Sequence, residues 1–206
     1  MLKRRQTGVS LVEVIVGLAI LALLLGLGVP QYGIFLANAR LKATTDVLVS
    51  GLSLARAEAV KRNARVDLVL TNDEPVEAEV ATATAATNGT NWIVREWVPR
   101  TTSFNFIEGK LGAAGSGTEA SRVQVASASV DATYNGVTSF TGFGALTIGS
   151  AITFDITNPS GGACDQAPPA TRGPMRCLRV VVSPGGQIRT CDPAVPAAAV
   201  TDTRRC

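Results

Sequence analysis

The sequence predicts an α+β protein in which one long N-terminal helix, membrane-spanning in its first half, packs on a mainly antiparallel β head. Three patterns support this fold class. Residues 9–29 form an apolar run, residues 30–63 continue as an amphipathic helix, and the residues from 64 onward contain alternating, strand-like segments. Helical and strand patterns that are separated along the chain, rather than interleaved, are typical of α+β proteins.

A chain of 206 residues is long enough for one modest domain and an anchor. With 46% hydrophobic and 17% charged residues, it is neither disordered nor a polytopic membrane protein. Its net charge of +3 equals the charge of Lys3, Arg4 and Arg5, which precede the apolar run. The rest of the chain is therefore neutral, and a general attraction to nucleic acid is not expected.

The chain contains no histidine. This excludes Ser–His and Cys–His nucleophile pairs and histidine-bearing zinc sites, because all of these need an imidazole. The glycine-rich residues 112–118 lack the lysine of a phosphate-binding P-loop, and no motif contains a pair of carboxylates. We therefore expect no enzymatic activity, no cofactor and no metal.

Residues 9–29 would span about 30 Å as a helix, which is the thickness of the hydrocarbon core of a bilayer. The basic residues ahead of this run favour a cytoplasmic N-terminus and a head outside the cytosol. One alternative is a simple uncleaved anchor. Another is a secretory signal peptide cut after Ala39, but its apolar region would be shorter, roughly 7–15 residues, and would not contain Glu13.

Glu13 would cost about 2.5–3.5 kcal/mol in a membrane helix, so its presence indicates a role. Residues 8–13 read GVSLVE after a short basic leader, and this pattern resembles the signal of type IV prepilins. The resemblance implies that residues 1–8 are a leader, that prepilin peptidase cuts between Gly8 and Val9, and that the new amine of Val9 is methylated. The family most often has phenylalanine where this chain has Val9.

The same resemblance makes Glu13 the fifth residue of the mature chain. There its carboxylate could pair with the N-terminal ammonium of a neighbouring pilin and set the register of assembly. Pro30 matches a proline that is common in the helix of this family. Together with Gly26, Gly28 and Gly33, it weakens the helix, so we expect bending or a helix break at Pro30.

The amphipathic extension, residues 30–63, carries an apolar stripe that should face the head. The stripe consists of Leu41, Leu48, Leu52, Ala55 and Ala59, and the polar residues away from it are Lys42, Asp46, Arg56 and Lys61. Residues 54–62 read LARAEAVKR, which resembles a run found in the GspH/FimT subgroup of minor pilins. The resemblance implies a long helix on a β-sandwich-like head.

Seven strands are predicted in the head, which comprises residues 64–206. They cover Val66–Leu70, Trp92–Val98, Phe104–Ile107, Arg122–Val125, Ala151–Ile156, Cys177–Val182 and Gln187–Cys191. The composition of residues 81–91 and 109–121 indicates exposed loops.

All four cysteines, Cys164, Cys177, Cys191 and Cys206, lie in the last quarter of the chain and form no C-x-x-C pair. They indicate structural disulfides and an oxidising compartment. A three-residue hairpin loop at residues 183–185 would set Cys177 opposite Cys191 and Arg179 opposite Arg189. This register makes a Cys177–Cys191 bridge, with Cys164–Cys206 as the second, geometrically reasonable. The sequential pairing, Cys164–Cys177 with Cys191–Cys206, is the alternative.

Residues 164–206 contain six arginines but only three aspartates. Arg179, Arg189, Arg204 and Arg205 are therefore candidates for contact with an anion or a DNA backbone. Some members of the FimT branch bind DNA through a G-R-x-R element, whereas residues 186–189 of this chain read GQIR and lack the first arginine. We favour the other interpretation, a solvated face that keeps an edge hairpin soluble.

The expected function is that of a structural minor pilin or pseudopilin, near the tip of a type IV pilus or a type II secretion pseudopilus. The alternative is a DNA-binding minor pilin for DNA uptake. The expected location is the inner membrane, with a single span and the head in the periplasm, and then the filament. The expected partners are other pilins through the N-terminal helix, prepilin peptidase, the inner membrane and, for the alternative function, DNA.

Overall fold

The computed structural model describes Gly8 and residues 10–112, 123–167, 172–196 and 198–206, with the backbone alone for residues 25–31. It contains one helix, α1 (Leu11–Arg62), and then the strands of the head. These are β1 (Val66–Thr71), β2 (Asn91–Val98), β3 (Ser103–Lys110), β4 (Gln124–Ser129), β5 (Val137–Phe140), β6 (Ile152–Thr157), β7 (Leu178–Val182) and β8 (Ile188–Cys191). Short 3₁₀ turns lie at Glu77–Glu79 and Pro159–Gly161.

Helix α1 is continuous over 52 residues and includes Pro30. The expected helix break at Pro30 is therefore wrong for this structure. An interior proline removes one backbone hydrogen bond and crowds the preceding turn, but the bonds on either side can carry the helix across it. Bending or melting at this position during assembly stays a prediction.

The C-terminal end of α1 is set by Asn63, which adopts a left-handed conformation with φ 49°. Its backbone N–H bonds to the carbonyls of Ala59 and Val60, and the N–H of Ala64 reaches the carbonyl of Ala59 at 3.2 Å. These bonds satisfy carbonyls that the end of a helix would otherwise leave unpaired. The chain then turns directly into β1.

The second half of α1 packs on the head through the predicted stripe. Its five residues, from Leu41 to Ala59, are each 3% exposed or less, whereas Lys42, Asp46, Arg56 and Lys61 are exposed. The buried face also includes Ala37, Thr44, Thr45 and Gly51. The period of 3.6 residues thus identified the face of the helix that enters the core.

Two four-stranded antiparallel sheets form the head. Their strand orders are β3-β2-β1-β5, here called sheet A, and β4-β6-β7-β8, here called sheet B. One face of each sheet packs, together with α1, into a single core. The largest fully buried side chains of that core include Leu52, Leu68, Phe140, Ile152, Phe154 and Ile156. The predicted α+β class, a long helix on an antiparallel head, is confirmed.

Strand β5 was not predicted, because it has only four residues and its central Thr138 and Ser139 break the apolar pattern. It is nevertheless paired with β1, with Phe140 opposite Val66. Strand β3 extends to Lys110, so residues 109 and 110 belong to a strand and not to the predicted loop. Residues 113–121 of that loop and Arg122 lie outside the described residues.

Candidate assembly helix and C-terminal arginines

The start of α1 is built by residues of the GVSLVE motif. Ser10 has an extended backbone and caps the helix, since its Oγ accepts the backbone N–H of Glu13 at 3.2 Å. Glu13 lies in the first turn, where the helix dipole favours a negative charge. Gly8 is exposed, with open space where a side chain would lie. Val9, the predicted methylation site, lies outside the described residues.

In the first half of α1, the side chains from Leu11 to Leu24 are not covered by the head. All residues from Leu11 to Leu24 are exposed, and the large apolar side chains among them are 50–75% exposed. Those side chains are Leu11, Val12, Val14, Ile15, Val16, Leu18, Ile20, Leu21, Leu23 and Leu24. Apolar surface of this extent needs a partner or a membrane. The helix residues whose side chains the structure describes include no stretch long and apolar enough to cross a membrane.

Hydrogen bonds attach the base of the head to α1 where burial begins. The side chain of Asn158, which is 1% exposed, donates to the carbonyl of Ala37 at 3.2 Å. The backbone N–H of Arg176 donates to Oδ1 of Asn38 at 2.9 Å. Both bonds tie residues of the sheet B region to one turn of the helix, so the head is fixed to α1 at this level.

The LARAEAVKR run fixes the other end of α1. Arg56 Nε donates to the carbonyl of Gly144 at 3.1 Å, and Ala55 and Ala59 are completely buried. Arg62 pairs with Glu58 at 2.7 Å and with Glu96 of β2 at 2.8 Å. The pKa of Glu58 is lowered, first by its hydrogen bond with Arg62 and then by that with Lys61. The run resembled a family pattern, and its role is to join the helix to the head.

The cysteines form the sequential pairs, Cys164–Cys177 and Cys191–Cys206, with Cα–Cα distances of 5.4 and 5.1 Å. The cross-strand Cys177–Cys191 pairing considered from the sequence is wrong for this structure. Each observed bridge closes a short loop, which for about 15 residues contributes roughly 3 kcal/mol to stability. The second bridge holds the C-terminus beside β8.

The hairpin of β7 and β8 has a three-residue loop, as predicted, but the loop is residues 184–186. Ser183 N–H bonds to the carbonyl of Gln187 at 2.9 Å, and Gly186 takes φ +77°. Only glycine adopts such a φ without strain, so Gly186 fixes the position of the turn. Moving the loop by one residue shifts the register by two, and Arg179 therefore lies opposite Cys191 and Val181 opposite Arg189. The predicted pairing of Arg179 with Arg189 is wrong.

Two of the four candidate arginines are paired with aspartates. Arg179 holds Asp155 of the adjacent strand β6 through two bonds, at 2.6 and 3.1 Å, and this contact raises the pKa of Arg179. Arg204 holds Asp202 at 2.8 and 3.1 Å, and these bonds, with a backbone bond, lower the pKa of Asp202 to about 2. The charge available for a DNA backbone is reduced by these pairs.

The other two candidates lie together at the C-terminus. The guanidinium of Arg189 donates to main-chain oxygens of Arg205 and Cys206, at 3.3 and 3.2 Å. The backbone of Arg205 forms an isolated parallel β-bridge with that of Asp192. The structure thus brings Arg189 and Arg205 together and places Arg179 beside Asp155, a partner that sequence reasoning missed because it depends on strand order.

The helix α1 begins within the GVSLVE motif, is exposed and apolar in its first half and carries a disulfide-bonded β head. This combination defines the class of type IV pilin-like proteins. A family model described as Type II transport protein GspH matches residues 44–186, more than half of the chain. The chain therefore belongs to the GspH family. A second model, described as Prokaryotic N-terminal methylation motif, matches residues 3–29.

A solved structure of a minor pilin has a similar fold. The type IV minor pilin FimU of Pseudomonas aeruginosa, in one crystal form, is 16% identical with a TM-score of 0.50, over 75% of this chain and 90% of that chain. A second crystal form gives 16% identity and a TM-score of 0.47, over 76% and 94%. At this identity the first likeness shows the fold. No curated protein matches the chain.

Proposed function

We propose that this chain is a minor subunit of a bacterial filament, either a type IV pilus or a type II secretion pseudopilus, in which it has a structural and not an enzymatic role. The observation that carries the proposal is the exposed apolar half of α1, Leu11 to Leu24, which lies within residues 3–29, the part that the methylation-motif model matches. In the isolated chain these side chains face solvent. Packing them among the helices of neighbouring subunits would remove that apolar surface from water.

The proposed route to the filament begins with an inner-membrane precursor. Lys3, Arg4 and Arg5 favour a cytoplasmic leader, residues 9–29 form the span, and the head lies in the periplasm. Prepilin peptidase then cuts between Gly8 and Val9, and the amine of Val9 is methylated. Two disulfides in the head suit the oxidising periplasm.

Within the filament, the proposed role of Glu13 is to pair with the N-terminal ammonium of a neighbouring subunit. An unpaired carboxylate is costly in an apolar helix bundle, and pairing removes this cost only at one axial offset between the helices. In the described chain, Glu13 is exposed in the first turn and its carboxylate is available for such a contact.

Mass spectrometry of the protein from its native membrane tests the processing. A mature chain that begins with methylated Val9 is expected, and a Gly8→Val variant should retain the leader because the residue at the cut is altered. Gly17→Val is the matched control, since Gly17 also lies in open surroundings. A natural chain beginning at Met1 or Arg40 would show that the prepilin interpretation is wrong.

A position near the filament tip is proposed from the resemblance to minor pilins. Immunogold labelling of intact filaments with an antibody to the head tests it. Label at one filament end supports the tip position, whereas label spaced along the whole length contradicts it.

DNA binding for natural transformation is the second proposed function, and it has less support. Arg189 lies on the exposed face of β8, where a DNA backbone could reach its guanidinium, and it donates there to main-chain oxygens of Arg205 and Cys206. A gel-shift titration of the full chain in detergent with duplex DNA tests the proposal. Micromolar binding that is lost in Arg179→Ala/Arg189→Ala, but kept in the control Arg62→Ala, would support it, and no shift in the natural chain would reject it.

A further inference from the structure

A cavity lies on the face of sheet A that points away from the core. Side chains alternate along a strand, so Leu68 and Val94 enter the core whereas Asp67 and Arg95, also cross-strand partners, lie on the other face. The cavity has a volume of about 240 Å³ and is lined by both of these charged residues. Its location differs from that of the assembly helix and of the C-terminal arginines.

Arg95 is the central residue of this cavity. It is only 9% exposed, and its Nη1 donates to the carbonyl of Val80 at 2.6 Å. Its Nε is buried and has no hydrogen-bond partner within the part of the chain that the structure describes. The guanidinium carbon lies 3.6 Å from the centre of the Phe104 ring, so an aromatic face covers one side. A buried guanidinium is costly unless an anion compensates it.

The carboxylate of Asp67 is already bound to another residue. Its two oxygens accept hydrogen bonds from Arg65, at 2.8 and 3.1 Å, and Arg65 also donates to Ser139 Oγ at 3.1 Å. Among the described residues that line the cavity, two are arginines, Arg65 and Arg95, and one is an acid, Asp67, which leaves one positive charge in excess. Burial lowers the pKa of Arg95, and the nearby charge of Asp67 opposes this effect.

We propose that this cavity binds a small monocarboxylate, which pairs with Arg95 and packs its apolar part against Phe104. A single carboxylate matches the excess of one positive charge, and its two oxygens fit the planar donors of a guanidinium. Thr133, Asn135 and Thr147 line the same cavity and offer polar groups around the ligand. The carboxylate has two sources, a free small molecule or the C-terminus of a peptide.

NMR titration of the full chain in detergent micelles, with ¹⁵N-labelled arginine, tests the proposal. Benzoate should shift the side-chain Nε–H signal of Arg95, and benzamide, which has the same shape but no charge, should bind at least roughly tenfold more weakly. This comparison uses the natural chain alone. Equal shifts with both compounds, or no shift with benzoate, would overturn the proposal.

A variant pair sharpens the test. Arg95→Lys keeps the charge but loses the planar donors, so benzoate affinity should fall by roughly tenfold or more. Arg62→Lys is the control, because Arg62 lies at the end of α1 in another ion pair, and it should leave the affinity unchanged. Unchanged affinity in a folded Arg95→Lys protein would contradict the assignment.

A further titration separates the two sources of the carboxylate. A short peptide ending in phenylalanine is compared with its C-terminally amidated form and with benzoate. Tighter binding of the free peptide than of benzoate assigns the site to a partner chain, and tighter binding of benzoate assigns it to a small molecule. Equal binding of the free and amidated peptides, at the affinity of benzoate, would contradict carboxylate recognition.

Discussion

The two halves of helix α1 have the same secondary structure but opposite surroundings. From Leu11 to Leu24 the helix is apolar on every side except at Glu13 and is exposed throughout. From Leu41 to Ala59 only one stripe is apolar, and the head covers it. The comparison shows that the distribution of apolar residues, rather than helix propensity, decides what a helix contacts. The second half belongs to the fold, and the first half is available for assembly.

The largest expected effect concerns the charge in the first half. Glu13→Gln should weaken the free energy of assembly by about 3 kcal/mol, because the ammonium of a neighbouring subunit loses its partner. The amount incorporated into filaments should therefore fall roughly a hundredfold. Quantitative immunoblotting of sheared filaments against total cell protein measures the incorporation. Asp46→Asn, which alters an exposed carboxylate of the second half, is the matched control and should assemble normally. Normal incorporation of Glu13→Gln would contradict the proposed pairing.

The next prediction is that substitutions in the two halves of α1 have different effects on the free energy of unfolding of the head. Leu52→Ala should lower the free energy of unfolding of the head by about 2–5 kcal/mol, because Leu52 is completely buried and its loss leaves a cavity. Leu18→Ala should change it by less than about 0.5 kcal/mol, since Leu18 is 60% exposed. Urea denaturation in detergent, followed by tryptophan fluorescence, measures both values. Similar losses in the two variants would show that the halves are not independent.

The third prediction concerns the contribution of the Cys191–Cys206 disulfide to the stability of the head. Replacing Cys191 and Cys206 together by alanine should lower the free energy of unfolding by about 3 kcal/mol, because the bridge closes a loop of about 15 residues. Denaturation of the variant beside the natural protein measures this loss. Peptide mapping without reduction should recover Cys164 linked to Cys177, and a peptide joining Cys177 to Cys191 would contradict the sequential pairing.

The smallest effect is a pH dependence at the junction of α1 and the head. The pKa of Glu58 is lowered from 4.5 by Arg62 and Lys61, so its contribution is present above pH 4.5 and is lost as the pH falls below that value. The loss should be only about 0.3 kcal/mol, because the pairs are near the surface. Urea midpoints measured between pH 3 and pH 7 give the profile, and Glu58→Gln should flatten it. An unchanged profile in that variant would assign the effect to other carboxylates.

Much of this architecture could be predicted from sequence, because local patterns encode it. The stripe on α1 follows from a period of 3.6, and Asn63 ends the helix where the strand pattern begins. The register of the last hairpin could not be predicted with the same certainty, since moving the loop by one residue keeps every side chain on its face. The position was decided by the left-handed conformation of Gly186 and by the carbonyl of Gly144, which leaves no room for a side chain at position 186.

The contacts of the candidate arginines depend on long-range topology. Arg179 meets Asp155 only because β6 lies beside β7 in sheet B, and nothing local in the sequence specifies that neighbour. The cavity around Arg95 also depends on long-range topology, since it forms only when β1, β2 and β3 lie side by side. It was therefore not predicted from the sequence. Local sequence patterns therefore predicted helix α1 better than the surface of the head.

Photo-cross-linking in assembled filaments tests the central comparison most directly. A photoreactive residue is placed at position 18, in the exposed apolar half of α1, or at position 46, on the exposed face of the second half. The account predicts that position 18 cross-links to the N-terminal helices of other pilins and position 46 does so far less. Filaments in which position 18 forms no cross-link to another pilin would contradict the assignment of this half to assembly.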